Sequence, residues 1–321
     1  MTYDHAWERE YYAVRNSAGL LDISPLFKYD IRGRDAERLL NRVMTRDFSK
    51  CKVGQVMYSP WCAENGDMIH DGNVARLSAD HFRLSAADPS LVWLARLRLW
   101  AGCVHRRCLQ PTGRPRPARA KQHRHPATMR ARGGLVSAQI LPLGRGHAGG
   151  CARPPHPHRL HGDLGYELWL APAHAEQVWD TLVSVGRNYG LLPFGLGVLD
   201  MVRMEAGLLL IEVDYISARY AFVDAQRSSP LEAGLGWAIG WDKAEPFIGR
   251  SALLAERARG AEWQLVGLTV NWAELERLWE PVGLRPTVVG RGTSRSAVPI
   301  YHAGTDGRAQ IGQATSHLYS P

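Results

Sequence analysis

The chain has 321 residues, 45% of them hydrophobic, and a formal net charge of +8 with a pI near 9.4. That length exceeds one ordinary domain, so two or three cores sharing interfaces are expected. No apolar run reaches the length of a bilayer crossing, and Met1-Thr2-Tyr3-Asp4-His5 lacks the basic and apolar parts of a signal peptide, which points to a cytoplasmic protein without a membrane partner.

Residues 6–18 are patterned as a helix, 27–33 as a strand, and 35–43 as a second helix with Asp35 placed to cap it. Residues 55–62, 68–77 and 81–86 read as successive antiparallel strands, with Glu64-Asn65-Gly66-Asp67 as a hairpin turn. Five cysteines, an odd number without CxxC spacing, give no metal signature and are expected to be reduced thiols.

From about residue 95 to 161 the periodicity is lost and Arg, Pro, His, Gly and Ala dominate. Between Asp88 and Asp163 there is no acid, yet there are thirteen arginines and one lysine; without those fourteen bases the rest of the chain is about −6. The basicity therefore belongs to one segment and does not mark a nucleic-acid-binding protein, unless that segment is a genuine basic RNA-binding insert. Translation in a shifted frame accounts for it better. Codons compatible with residues 110–123, read after dropping one base, give NPLAALALQGPNS. The same offset applied to 95–108, 135–148 and 158–161 permits RGCGYGLDVSIED, WSALKYFRLGAAT and TGYT, and the original frame resumes at Gly162. Residues 95–161 are accordingly expected as exposed coil with few strand pairings.

Beyond it, residues 166–170 read as a strand, 173–189 as an amphipathic helix and 197–206 as another. Residues 265–270, 296–301 and 311–315 read as strands of a separate barrel, joined in part by a Pro- and Gly-bearing connection at 279–292. The expected organisation is an α+β unit from 1–93 and 162–250 around the anomalous 94–161, followed by a β-barrel at 251–321 that is incomplete.

The run Gly162-Asp163-Leu164-Gly165-Tyr166-Glu167-Leu168-Trp169 resembles the GYTGE-x-GYE-L signature of the aminomethyltransferase family, the glycine-cleavage T-protein and its relatives, and the shifted frame supplies TGYT directly before it. Ala18-Gly19-Leu20-Leu21-Asp22, Gly66-Asp67-Met68-Ile69-His70-Asp71, Asp200-Met201-Val202-Arg203-Met204-Glu205-Ala206-Gly207, Ser229-Pro230-Leu231-Glu232-Ala233-Gly234 and Gly312-Gln313-Ala314-Thr315-Ser316 follow the family's order, and LALQGP in the shifted frame is another family phrase.

The resemblance implies an antiparallel, multi-domain α+β fold with a C-terminal barrel, tetrahydrofolate as cofactor, and a small-molecule one-carbon donor or a lipoyl carrier protein as partner. It implies catalysis by Asp71, the second acid of the family's GGxxDD pair. A carboxylate there orients a nucleophilic nitrogen, stabilises developing positive charge or relays a proton, although Asp71-Gly72-Asn73 is also good turn chemistry. Glu167 matches the glutamate that pairs with the pterin, whose adjacent N–H donors suit a bidentate acceptor. Tyr58 matches an aromatic lining the channel, or packs in the core. Tyr166, Asp163, Arg203 and Trp237 are further cofactor-binding candidates, with Trp237 expected in the core and Arg203 on a helix surface. The chain departs from the family at Leu199, where an arginine contacts folate, at His70 in place of the first acid, and at Asp67 in place of a glycine. These departures keep open a folate-dependent O- or S-demethylase and a non-catalytic folate-binding protein.

Overall fold

The computed structural model describes residues 6–90, 93–94, 109–111, 127–132, 156–158, 165–170, 172–285, 292–304 and 307–319. In chain order the elements begin with α1 (Ala6–Asn16), β1 (Ala18–Asp22), β2 (Phe27–Arg32), α2 (Ala36–Val43), β3 (Val56–Cys62), β4 (Met68–Ser78) and β5 (His81–Ala86). Then come β6 (Leu109–Pro111), β7 (Ala127–Arg132), β8 (His156–His158), β9 (Gly165–Leu170), α3 (Ala175–Gly186), β10 (Leu191–Pro193) and α4 (Leu196–Glu205). The chain continues through α5 (Arg250–Arg259), α6 (Trp272–Trp279), β11 (Thr293–Ser294), β12 (Val298–Gly304), β13 (Gly307–Ala314) and β14 (His317–Leu318).

Two five-stranded sheets carry the architecture. The first, in the order β3-β4-β5-β2-β6, is antiparallel throughout; the second, β10-β1-β7-β9-β8, is antiparallel except for the parallel β1–β10 pair. The β3–β4 hairpin turns at Gly66, whose φ of +91° excludes most side chains and where a Cβ would press within 3.3 Å of Leu253.

Period-two alternation gives each sheet one apolar face. In the first, Tyr29, Ile31, Val74, Phe82 and Leu84 pack against Leu39, Leu40 and Val43 of α2, with Met44, Phe48 and Trp61 closing the cluster. In the second, Ala18, Leu20, Leu168, Leu170 and Leu191 pack under Val178, Trp179 and Leu182 of α3. Each fully buried side chain of this size contributes about 1.5–3 kcal/mol over its exposed state. Asp35 sits at the N-cap of α2 as expected but makes no capping hydrogen bond with its side chain.

Two expectations are corrected. Among the described residues there is no closed C-terminal barrel: β12–β13 and β11–β14 are separate two-stranded antiparallel ribbons. Residues 265–270 form no strand, and the run after them is the helix α6, begun by the Asn271 side chain accepting the Glu274 N–H at 3.3 Å. Apolar alternation at 265–270 alone does not make a strand without a partner edge. The second concerns the basic segment: its described residues, 109–111, 127–132 and 156–158, are strands, and the rest of the expected coil lies outside the described residues. Strand β7 even lies inside a sheet between β1 and β9. Sheet ladders bond backbone to backbone, so a strand forms without the hydrophobic pattern that announces one.

Candidate functional site in the polar space between the sheets

The faces of the two sheets that are not closed by helices carry polar and charged side chains. Register places Tyr58 opposite Asn73, Asn73 opposite Ser85, Ser85 opposite Lys28 and Arg83 opposite Asp30; Asp71, two residues before Asn73, shares this face. On β9, Glu167 and Trp169 alternate with Leu168 and Leu170 and so look away from α3. The Arg83 guanidinium lies 4.7 Å above the Trp169 ring, and Lys28 and Glu167 feel each other's charge, so the two polar faces meet.

Asp71 stands between two phenols. The Tyr215 hydroxyl donates to its Oδ1, and the Tyr58 phenol lies near enough to feel its charge. Burial first and the Asp71 carboxylate second push both phenols far above the usual tyrosine range, so both stay protonated. The strand is held tightly here, because a Cβ on Gly72 would come 2.5 Å from the Ser85 carbonyl oxygen. His70 points into the opposite, apolar face, where its ring stacks on Trp61 at 4.9 Å; its Nδ1 is 3.6 Å from Asp71 Oδ1 and its Nε2 accepts the Asp88 N–H at 2.9 Å.

Glu167 is 8% exposed and accepts the Trp169 indole N–H at 3.2 Å. Lys28 donates to the Ile23 and Ser24 carbonyls at 2.8 and 3.1 Å; burial lowers it to about 8, opposed by Glu167 and Asp22. Asp30 is raised by burial but held below the usual carboxylate range by hydrogen bonds and charge from Arg83 and His81. Among the described residues no group of three or more His, Cys, Asp or Glu side chains is arranged to hold a metal ion. Cys51 and Cys62 are buried free thiols.

The family model described as GCVT N-terminal domain matches residues 1–99 and 160–243, more than half of the chain, and steps over most of the basic segment. The chain belongs to this family. The aminomethyltransferase of Halothermothrix orenii is 30% identical, with the alignment covering 97% of this chain and 79% of that one. The trimethylamine-oxide aldolase of Ruegeria pomeroyi is 32% identical over 97% of this chain but 37% of its own length. In three dimensions the glycine cleavage system aminomethyltransferase T of Bartonella henselae shares the fold, at a TM-score of 0.61 and 21% identity, covering 81% of this chain and 68% of that one.

Within this family fold the candidates fall in different places. Asp71, Tyr58 and Glu167 lie on the inner sheet faces. Tyr166 takes the α3 side of β9, away from Glu167. Trp237, expected in the core, is 61% exposed and stacks on Tyr58 at 5.9 Å with the Arg46 guanidinium 5.2 Å from its ring. Arg203, expected on a helix surface, is buried and pairs with Asp200 at 2.8 Å and with Asp214. A helix facing a second layer buries polar residues when their partners lie on that layer, which α4's own sequence does not reveal. Leu199 packs on the apolar cluster of Tyr11, Phe194 and Met201. Asp163 lies outside the described residues. Sequence reasoning missed Tyr215, Lys28 and Arg83; the alternation Lys28, Asp30 within an otherwise apolar strand was the available signal for the latter group.

Proposed function

We propose that the protein transfers a one-carbon unit, aminomethyl or methyl, to tetrahydrofolate held between the two sheets. The observation that carries this reading is the pair of inward carboxylates, Asp71 and Glu167, on polar faces that meet while the opposite faces are closed by aliphatic cores. The residues fit the cofactor: a buried carboxylate suits the adjacent N–H groups of a pterin, and the stacked Tyr58 and Trp237 suit a flat ring. When bound, tetrahydrofolate supplies the nitrogen nucleophile that accepts the one-carbon unit. Glu167 fixes the ring by accepting its N–H donors. Asp71, oriented by the Tyr215 hydroxyl with the Tyr58 phenol beside it, stabilises positive charge at the reacting carbon or holds the transferred proton.

Family membership and relatives named aminomethyltransferase support this reading. The donor is either a lipoyl carrier protein or a small methylated compound, and the relative named trimethylamine-oxide aldolase favours including N-methyl donors beside methoxy and methylthio ones. Calorimetric titration of the protein with residues 95–161 restored to the shifted frame tests the reading with tetrahydrofolate, followed by chromatographic detection of 5-methyl- or 5,10-methylene-tetrahydrofolate with each donor class. Binding with turnover of one donor is expected. Absence of binding overturns the reading, and binding without product from any donor leaves a folate-binding protein.

A further inference from the structure

Tyr215 reaches Asp71 from a short loop that closes on itself. Glu212 has a φ of 63°, a left-handed conformation that strains a residue with a Cβ. Its N–H donates to the Tyr215 carbonyl at 2.8 Å, and the Asp214 N–H donates to the Leu210 carbonyl at 2.8 Å. Such a loop keeps its shape only when its surroundings over-determine it.

The surroundings come from the C-terminal ribbons. The carboxylate of Asp214, adjacent in chain to Tyr215, accepts at Oδ1 from the Thr315 hydroxyl at 2.7 Å and from the Ser316 hydroxyl. At Oδ2 it accepts from Arg203 and from the Leu210 N–H at 2.8 Å. Arg203 also donates to Ser316 Oγ at 2.9 Å, and Arg295, beside β11, donates to Asp200 at 2.9 Å. Residues from both ends of the β11–β14 region thus converge on one buried charge network, and that network is one peptide bond from the phenol that touches Asp71.

We propose that the C-terminal ribbons are a positioning element for Asp71, acting through Asp214 and Tyr215, with Tyr215 as a positioning residue. The functional meaning rests on the reading of Asp71 as the reacting carboxylate; the coupling itself does not. Losing the Thr315 and Ser316 hydroxyls leaves the Arg203–Asp214 pair but frees Oδ1, and the strained Glu212 then relaxes, which withdraws the Tyr215 hydroxyl. Tyr58 lies on β3 and meets this latch only where it packs against the cluster of Ile211 and Tyr215, so Tyr215 gives the larger response.

The experiment is NMR of the full chain carrying 13Cζ-tyrosine, with Tyr215 and Tyr58 assigned through Tyr215→Phe and Tyr58→Phe, and with Asp71→Asn giving the position of each phenol without its carboxylate. In Thr315→Val/Ser316→Ala, and in Thr315→Val alone should the double variant not fold, the Tyr215 signal is expected to move toward its Asp71→Asn position and by clearly more than Tyr58. A Tyr215 signal that does not move overturns the proposal, and so does an equal movement of both, which makes the ribbons a general scaffold. Calorimetry with tetrahydrofolate on the protein restored to the shifted frame across 95–161 separates the two levels: failure to bind sinks the functional reading and leaves the phenol result standing.

Discussion

Asp71 and Glu167 each lie on a strand's polar face, with different neighbours. Asp71 accepts the Tyr215 hydroxyl, and Glu167 an indole N–H with an ammonium nearby. In the frame-restored protein Asp71→Asn retains the shape and removes the charge, so turnover should fall at least about tenfold, the lower end for a positioned acid–base group, with tetrahydrofolate affinity largely unchanged in calorimetry. Equal turnover would leave Asp71 a strand residue. Glu167→Gln exchanges one acceptor for a donor and should weaken tetrahydrofolate by about 1.5–3 kcal/mol, the range for hydrogen bonds to a charged group; the same titration checks it. Both carboxylates were legible because each sits in a run whose type and order match a family phrase. Tyr215 was not, since its role depends on a loop returning across more than a hundred residues of sequence to β4. Trp237 and Arg203 exchanged expected places for the same reason: side-chain type gives a mean burial, and tertiary partners decide the individual case.

At the scale of elements, most of the fold-forming pattern could be read: α1, α2, β2 through β5, β9 and α4 begin within a few residues of where periodicity places them. The C-terminal strands were harder, because ribbons of two strands are marginal alone and Trp263, Leu268, Leu278 and Leu284 stay more than half exposed. What locks an element is often a distant side chain. Lys243 ends α2, its ammonium donating to the carbonyls of Asn41 at 2.6 Å, Met44 at 2.5 Å and Arg46 at 3.3 Å. Burial lowers Lys243 to about 7 from an ordinary 10.5, against opposing pulls from Asp47 and Glu245. Between those values the unfolded chain holds a proton that the folded chain lacks, so the Lys243 contribution to stability grows as pH rises from about 7 toward 10.5 and is lost as pH falls through 7. Lys243→Met removes the donor to these carbonyls and should destabilise by about 1–3 kcal/mol at pH 9, and by less at pH 6. Denaturant unfolding of both proteins at the two pH values checks the sign; a difference that shrinks toward pH 9 would contradict it.

For the molecule as a whole, the basic segment governs what this chain can do. The family model stops at residue 99 and resumes at 160, the interval in which one constant frame offset restores family-like sequence. Strand β7, the middle strand of the second sheet, falls inside that interval, and as printed it sets Arg130 at the register position opposite Glu167. A different frame therefore changes the residues of a central strand and the position facing a proposed cofactor anchor. The segment also brings fourteen bases and no acid where a packed layer needs apolar side chains. Each large apolar side chain missing from a core costs about 2–5 kcal/mol, against a total of about 5–15 kcal/mol for a whole domain, so two or three such losses exhaust the stability. The frame-restored protein should accordingly unfold at a clearly higher temperature and gain further stability from tetrahydrofolate, since a ligand that binds only the folded state raises its stability with concentration. The chain as printed should melt early or without cooperativity and respond little to the ligand. Thermal unfolding of both proteins with and without tetrahydrofolate decides between them. If the printed chain melts cooperatively and is stabilised by tetrahydrofolate as much as the restored one, residues 95–161 are a genuine insert that the fold accommodates, and the shifted-frame explanation fails.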